Sequence, residues 1–335
     1  MGRALDWVIP AATIVAIEYA IALWIGFTVG FHYEFPTKSY VLSSTTISVL
    51  VLTCALLFRL GLYRRQGELR PIARLKSEAY QARARIAGIL LGFLLIALQN
   101  GALTWLKVML PITQGFWADL PLAAADQMLF GRDPWIISHE LFGPVTSLLD
   151  HTYVTWAPVK FATVIAVALA AASQRKSQAM LAYFIALSTC CLLQYGLPSA
   201  GPIFYERLGF GNRFSAMPVQ PWVASTRDYL WADYLAGGGK PGGGISAMPS
   251  VHVAMALWVA LVVRAYFPRV QLLAWAYFAA ILIGSVHLGW HYALDGIAAA
   301  AITIGAWVLA PRILRHSPSP TAELQPQPLK KVTLS

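Results

Sequence analysis

Residues 246–314 read SAMPSVHVAMALWVALVVRAYFPRVQLLAWAYFAAILIGSVHLGWHYALDGIAAAAITIGAWVLAPRIL, and this stretch decides the fold. It holds three apolar runs, 250–267, 270–290 and 293–314, with almost nothing between them. Each comes close to the roughly 20 residues a helix needs to cross a bilayer. Arg264 and Arg269 mark the junction of the first two runs, and Arg312 the end of the third. The opposite ends carry polar groups of another kind. Ser246 to His252 opens the first run, and His287 to Asp295 bridges the second and third. Ionisable groups set at the ends of apolar helices are expensive to keep there and mark function.

Working outward, five further runs qualify as spans: 7–29, 40–62, 87–110, 152–173 and 177–197, the fourth interrupted by Lys160. Composition agrees. Hydrophobic residues make up 58% of the 335 and charged residues only 12%, against about 25% charged in soluble domains. So few charges cannot cover a soluble surface, and the mean hydropathy is +0.59. The expected fold is therefore all-α, a polytopic transmembrane helical bundle of about eight spans. It divides into N-terminal spans (1–110), a catalytic membrane domain (111–314) and a polar tail (315–335) expected to be disordered. Within the second part, residues 111–150 read as interfacial helices and 198–249 as a loop rich in Gly, Pro and aromatics. Trp7 to Val29 is too long for a cleavable signal, so none is expected. Cys54, Cys190 and Cys191 all lie in apolar runs and suggest no disulfide framework.

Orientation follows from the basic residues. Threading eight spans gathers seventeen of the 25 Lys and Arg on the face that holds both termini and the 63–86 loop. By the positive-inside bias that face is cytoplasmic. The net charge of +10 is thus read as basic loops, and a nucleic-acid partner is not expected. Seven basic residues in 63–86 suit either topology or anionic headgroups. Segments 111–151 and 198–249 fall outside, which predicts a multi-pass plasma (inner) membrane protein with its site on the extracytoplasmic face.

There two elements bring His252 and His291 to the same end of the bundle. His291 and Asp295 are four apart, so they share a helical face and the carboxylate can reach the imidazole. Such a contact fixes the tautomer and leaves the other ring nitrogen nucleophilic. His252, from another helix, can protonate a leaving oxygen. Pro249 suits a helix start, and the amides of Ser250, Val251 and His252, with the Ser250 hydroxyl, suit an anion. A nucleophile, an acid, an orienting carboxylate and an anion cradle together point to phosphoryl transfer.

At these residues the chain resembles a known family. Pro249-Ser250-Val251-His252 is similar to the second signature of the type 2 phosphatidic acid phosphatase (PAP2) superfamily, Pro-Ser-Gly-His, and His291-x-x-x-Asp295 to the end of its third. Ala247 to His252, Leu288-Gly-x-His-Tyr-x-x-Asp295 and Pro198-Ser199-Ala200-Gly201-Pro202 resemble the inositolphosphotransferase branch, which includes inositol phosphorylceramide synthase. Phe130 to Trp135 and Asp150-His151-x-Tyr153 resemble it more loosely. The resemblance implies a phosphohistidine on His291, Asp295 as its partner, His252 as general acid, and no metal or other cofactor. It implies a lipid phosphate or phosphodiester donor and a polyol or lipid alcohol acceptor. Three departures stand out. Val251 replaces the signature glycine, the Lys-x6-Arg-Pro signature is absent, and Gly284-Ser285 stand where the family has Ser-Arg. Another cation must then meet the phosphate. Arg207, Arg213, Arg227 and Lys240 are candidates, with Lys240 and Arg213 favoured because their loop leads into Ser250.

Other readings compete. A membrane histidine commonly serves helix packing, and His287 is expected to pack or to support His291. His287, His291 and Asp295 on one helical face could instead ligate a metal. Gly237 to Gly244 resembles a phosphate loop but lacks Ser or Thr after Lys240 and a preceding strand, so a lid or lead-in is expected. Asp133, before Pro134, is expected to cap a helix, while Asp126 and Asp150 are open between capping and headgroup contact. With water as acceptor the same chemistry makes a lipid or isoprenoid (pyro)phosphate phosphatase. The reading of another class is a transporter or non-catalytic scaffold.

Overall fold

The computed structural model describes residues 5–31, 37–240 and 242–316, and the described residues that form regular structure are helical. The tail expected to be disordered lies, from residue 317 on, outside the described residues. Among the described residues six helices are long and apolar enough to cross a membrane: α1 (Val8–Thr28), α2 (Thr37–Arg65), α4 (Arg83–Gln114), α9 (Gln174–Leu193), α12 (Gln271–His287, entered through a short turn at Pro268–Val270) and α13 (Ala293–His316). Between α2 and α4 lies the short amphipathic α3 (Pro71–Gln81), with no buried residue.

The fourth expected run is not one straight span. α6 (Pro134–Phe142) and α7 (Thr146–Val154) lead into α8 (Trp156–Leu169) with a bend of 44° at the Thr155 break, and this bent pair makes a seventh crossing if counted as one. Before it stands α5 (Asp119–Phe130), and the long loop carries α10 (Pro221–Leu235). The run expected over 250–267 forms α11 (Val251–Tyr266), 16 residues. At 1.5 Å per residue that is about 24 Å, short of a hydrocarbon core of about 30 Å. The first turn of α11 carries His252.

α11 is apolar all round because it is buried all round. It packs against α8, α9, α12 and α13, with Val253, Met255 and Trp258 almost wholly enclosed. Trp258 Nε1 donates to the Ala179 carbonyl of α9 at 2.9 Å. α4 links the two parts of the chain, touching α1 and α2 on one side and α8 and α9 on the other. The expected boundary at residue 110 falls inside it. Deep between α1, α4 and α9, Gln99 Nε2 donates to Glu18 Oε1 (3.2 Å) and Ser188 Oγ (2.9 Å), and Ser188 Oγ donates to Glu18. Such interhelical hydrogen bonds hold helices that gain nothing from hydrophobic association in lipid.

Candidate active site

The site is built where three loops meet at one end of the bundle. Residues 198–203 leave α9, 245–250 enter α11, and 288–292 join α12 to α13. The first two are tied as Ala247 N–H donates to the Ser199 carbonyl (2.8 Å) and Met248 N–H to Ser199 Oγ (3.0 Å). The first and third are tied by Ile203 N–H to the Gly289 carbonyl at 2.9 Å. Gly201 sits in the left-handed region (φ +96°), and a Cβ there would lie 2.3 Å from the Trp290 carbonyl oxygen. Only glycine lets these backbones approach so closely.

His291 is 3% exposed. Its Nδ1 lies 3.0 Å from the Ala247 carbonyl and 3.3 Å from Asp295 Oδ2. Both neighbours are acceptors, so Nδ1 carries the proton and Nε2 keeps its lone pair. That free nitrogen faces His252 Nδ1 at 3.4 Å. Asp295 Oδ2 also accepts from Tyr292 N–H at 2.9 Å, which fixes the carboxylate. His252 is itself held between aromatic rings, stacked on Tyr153 (centroids 5.1 Å) with Trp156 edge-on (4.3 Å). The three expected catalytic side chains therefore converge in one line, Asp295 to His291 to His252.

Two carboxylates from α5 brace this line. Asp119 Oδ1 and Oδ2 accept from Gly201 (2.9 Å) and Ala200 (2.8 Å), and Oδ1 also takes the Tyr292 hydroxyl at 2.8 Å. Asp126 accepts the Ala293 and Leu294 amides at 2.7 and 3.1 Å, capping α13 from another element. Burial pushes both carboxyls up to about 6, against the pull of their hydrogen bonds. Burial and the nearby Asp119 carboxylate raise the Tyr292 phenol far above its ordinary value and keep it a donor. Asp126 is thus a helix cap, although not of the helix nearest in sequence. Asp133 takes the N-cap position of α6 but makes no capping bond, because its carboxylate holds Arg213.

A cavity of about 330 Å³ opens on His252 and His291. Its wall includes Asn100, Gln194, Ser246, Val251, Gly242 and Gly243, and two lysines, Lys107 of α4 and Lys160 of α8. A second cavity of about 270 Å³ also reaches His252, lined by Tyr153, Trp156, Trp222, Trp290 and Asp150. Asp150 is buried, and its Oδ1 has no hydrogen-bond partner among the described residues.

The anion-binding residues expected from the sequence stand elsewhere. Arg213 is clasped by Asp133, the Ala123 carbonyl and Gln127, a set that satisfies its guanidinium away from the cavity. Lys240 is exposed, its Nζ 5.4 Å from the centre of the Tyr229 ring. Ser250 is the N-cap of α11, its Oγ accepting from Val253 N–H (3.3 Å) and its amide donating to the Asp295 carbonyl (3.2 Å). The helix thus begins two residues later than Pro249 suggested, and only Val251 and His252 keep amides free of that cap. The glycine-rich 237–244 segment is pinned by Asp233, which accepts from Lys240 N–H (2.9 Å) and Gly244 N–H (3.2 Å).

His287 points away from His291. Its ring meets Ser138 Oγ (3.2 Å) and Thr146 Oγ1 (2.8 Å) and stacks on His139 at 3.8 Å. The metal reading needed His287, His291 and Asp295 to converge, and this orientation separates them. Sequence reasoning missed Lys107 and took Lys160 as a flaw in a span. The signal was present, since a lysine inside an apolar run faces a cavity or a partner.

No curated protein and no solved structure matches the chain. The profile of the PAP2 superfamily matches residues 122–309, from α5 through most of α13 and more than half of the 335 residues. That segment contains the three loops, both histidines and Asp295, and by this match the chain belongs to the PAP2 superfamily.

Proposed function

We propose that the protein is a membrane phosphotransferase acting on a lipid phosphate or phosphodiester through a phosphohistidine, in the manner of the inositolphosphotransferase branch. The observation that carries the reading is the line from Asp295 through His291 to His252 along the wall of a cavity that also holds two lysines. In the first step His291 Nε2 forms a bond to phosphorus as the bond from phosphorus to the lipid oxygen breaks. His252 gives that oxygen a proton, and Asp295 stabilises the developing imidazolium. In the second step an acceptor hydroxyl loses its proton to His252 while its oxygen takes the phosphoryl group from His291.

Transfer is favoured over hydrolysis by the second cavity. It meets the first at His252, and its aromatic walls and free Asp150 oxygen suit a hydroxyl-bearing molecule better than bulk water. The positive-inside bias of the basic loops supports a site on the extracytoplasmic face, with both ends of the bundle in the cytoplasm. The test is turnover by purified protein in nanodiscs of phosphatidylinositol, phosphatidic acid and a polyprenyl pyrophosphate, each with and without diacylglycerol or ceramide. The proposal expects alcohol-dependent formation of a new phospholipid. Release of inorganic phosphate at a rate indifferent to added alcohol makes the protein a phosphatase, and no turnover of any donor returns it to the scaffold reading.

A further inference from the structure

We infer that Lys107 and Lys160 form the anion clamp of this site, so that the substrate phosphate is bound between α4, outside the family-matched segment, and the catalytic core. Both line the cavity that His252 and His291 open on. Neither takes part in an ion pair among the described residues, where arginines and His291 supply the cationic partners. Lys160 is only 4% exposed and rests its ammonium over Phe161 (4.1 Å) and Trp156 (5.0 Å). Gly244 packs on the Lys107 stem, where a Cβ would meet Lys107 Cγ at 3.0 Å.

An ammonium kept among apolar helices without a counter-ion is costly unless a bound anion supplies one. Asn100, Gln194 and Ser246 on the same wall add neutral groups for the remaining oxygens. Lysine is a point charge on a flexible stem and does not demand the planar, two-pronged contact of arginine. The clamp therefore tolerates a phosphorus that changes geometry, and it accounts for a catalytic core that has neither motif arginine. The identity of the anion as the reacting phosphate rests on the phosphotransfer reading; the existence of the clamp does not.

The test uses the full chain in nanodiscs with inorganic phosphate as probe, its Kd read by phosphorus NMR, and dihexanoyl phosphatidic acid as soluble substrate. Lys107→Met and Lys160→Met are each expected to weaken phosphate binding by about 10-fold or more, as for loss of a charged hydrogen bond. Their Tm is expected to stay level or rise, because an unpaired buried charge is gone. Lys160→Arg keeps the charge and is expected to bind phosphate better than Lys160→Met. His291→Ala should bind phosphate as the wild type does while losing turnover. Unchanged Kd in both methionine variants overturns the clamp, as does a Tm fall in which Lys160→Arg behaves like Lys160→Met, the mark of packing. If His291→Ala still turns over lipid, the phosphotransfer reading falls while the clamp stands or falls on the lysine variants.

Discussion

At the scale of single residues, the site depends on which nitrogen of His291 carries the proton. Ala247 and Asp295 both accept from Nδ1, and that leaves Nε2 with the lone pair the proposed attack requires. Asp295→Asn can present its amide N–H to Nδ1 and reverse the tautomer, so turnover should drop about 100-fold or more with the protein still folded. His252→Ala should lose a similar factor, within the 10²–10⁴-fold range of general acid–base catalysis. It should lose least on donors with good leaving groups, because a stable leaving oxygen needs no proton. Rates on a nitrophenyl-type phosphodiester and a natural lipid, compared side by side, check this. These three residues were legible because spacing and topology both pointed to them. The lysines were not, since a lone charge in a hydrophobic run reads as an interruption until its direction is known. Arg213 misled for the opposite reason: position in the right loop says nothing of a carboxylate 80 residues away that satisfies it.

At the scale of elements, the start of α13 governs the site because His291 and Asp295 flank it. Asp126 caps that start from α5, so Asp126→Ala should cost about 1 kcal/mol of stability and lower turnover as the 291–295 turn loosens. Asp119 and Asp126 also predict a pH dependence. Both carboxyls are raised from 3.8 to about 6 in the folded protein. Between those values the folded state holds protons that the unfolded state has released, so their stabilising contribution is complete below about 4 and is lost as pH rises through about 6. Thermal melts across that window should show Tm falling with rising pH, and Asp119→Asn or Asp126→Asn should flatten the slope. A slope equal in the variants contradicts the assignment. Gly201→Ala places a methyl against the Trp290 carbonyl at a positive φ, and should destabilise by about 1–3 kcal/mol. The sequence pattern found the helices because apolar runs of this length leave little choice. It overran at 250–267 because apolar composition does not distinguish a full span from a short helix buried in a bundle.

At the scale of the whole molecule, the N-terminal spans are more than an anchor. α4 reaches across to α8 and α9 and carries Lys107 and Asn100 into the cavity, so the wall of that cavity is incomplete without it. Hydropathy alone could not reveal this, because α1 and α2 face largely outward and α4 reads as one more span. The central claim, that His291 carries the phosphoryl group, has a direct measurement. Protein in nanodiscs is mixed with donor lipid labelled at phosphorus, quenched in alkali, where phosphohistidine survives, and mapped by mass spectrometry. The account predicts label on His291 in the wild type and none in His291→Ala. Product formation at the wild-type rate by His291→Ala, or label confined to another residue, would contradict it.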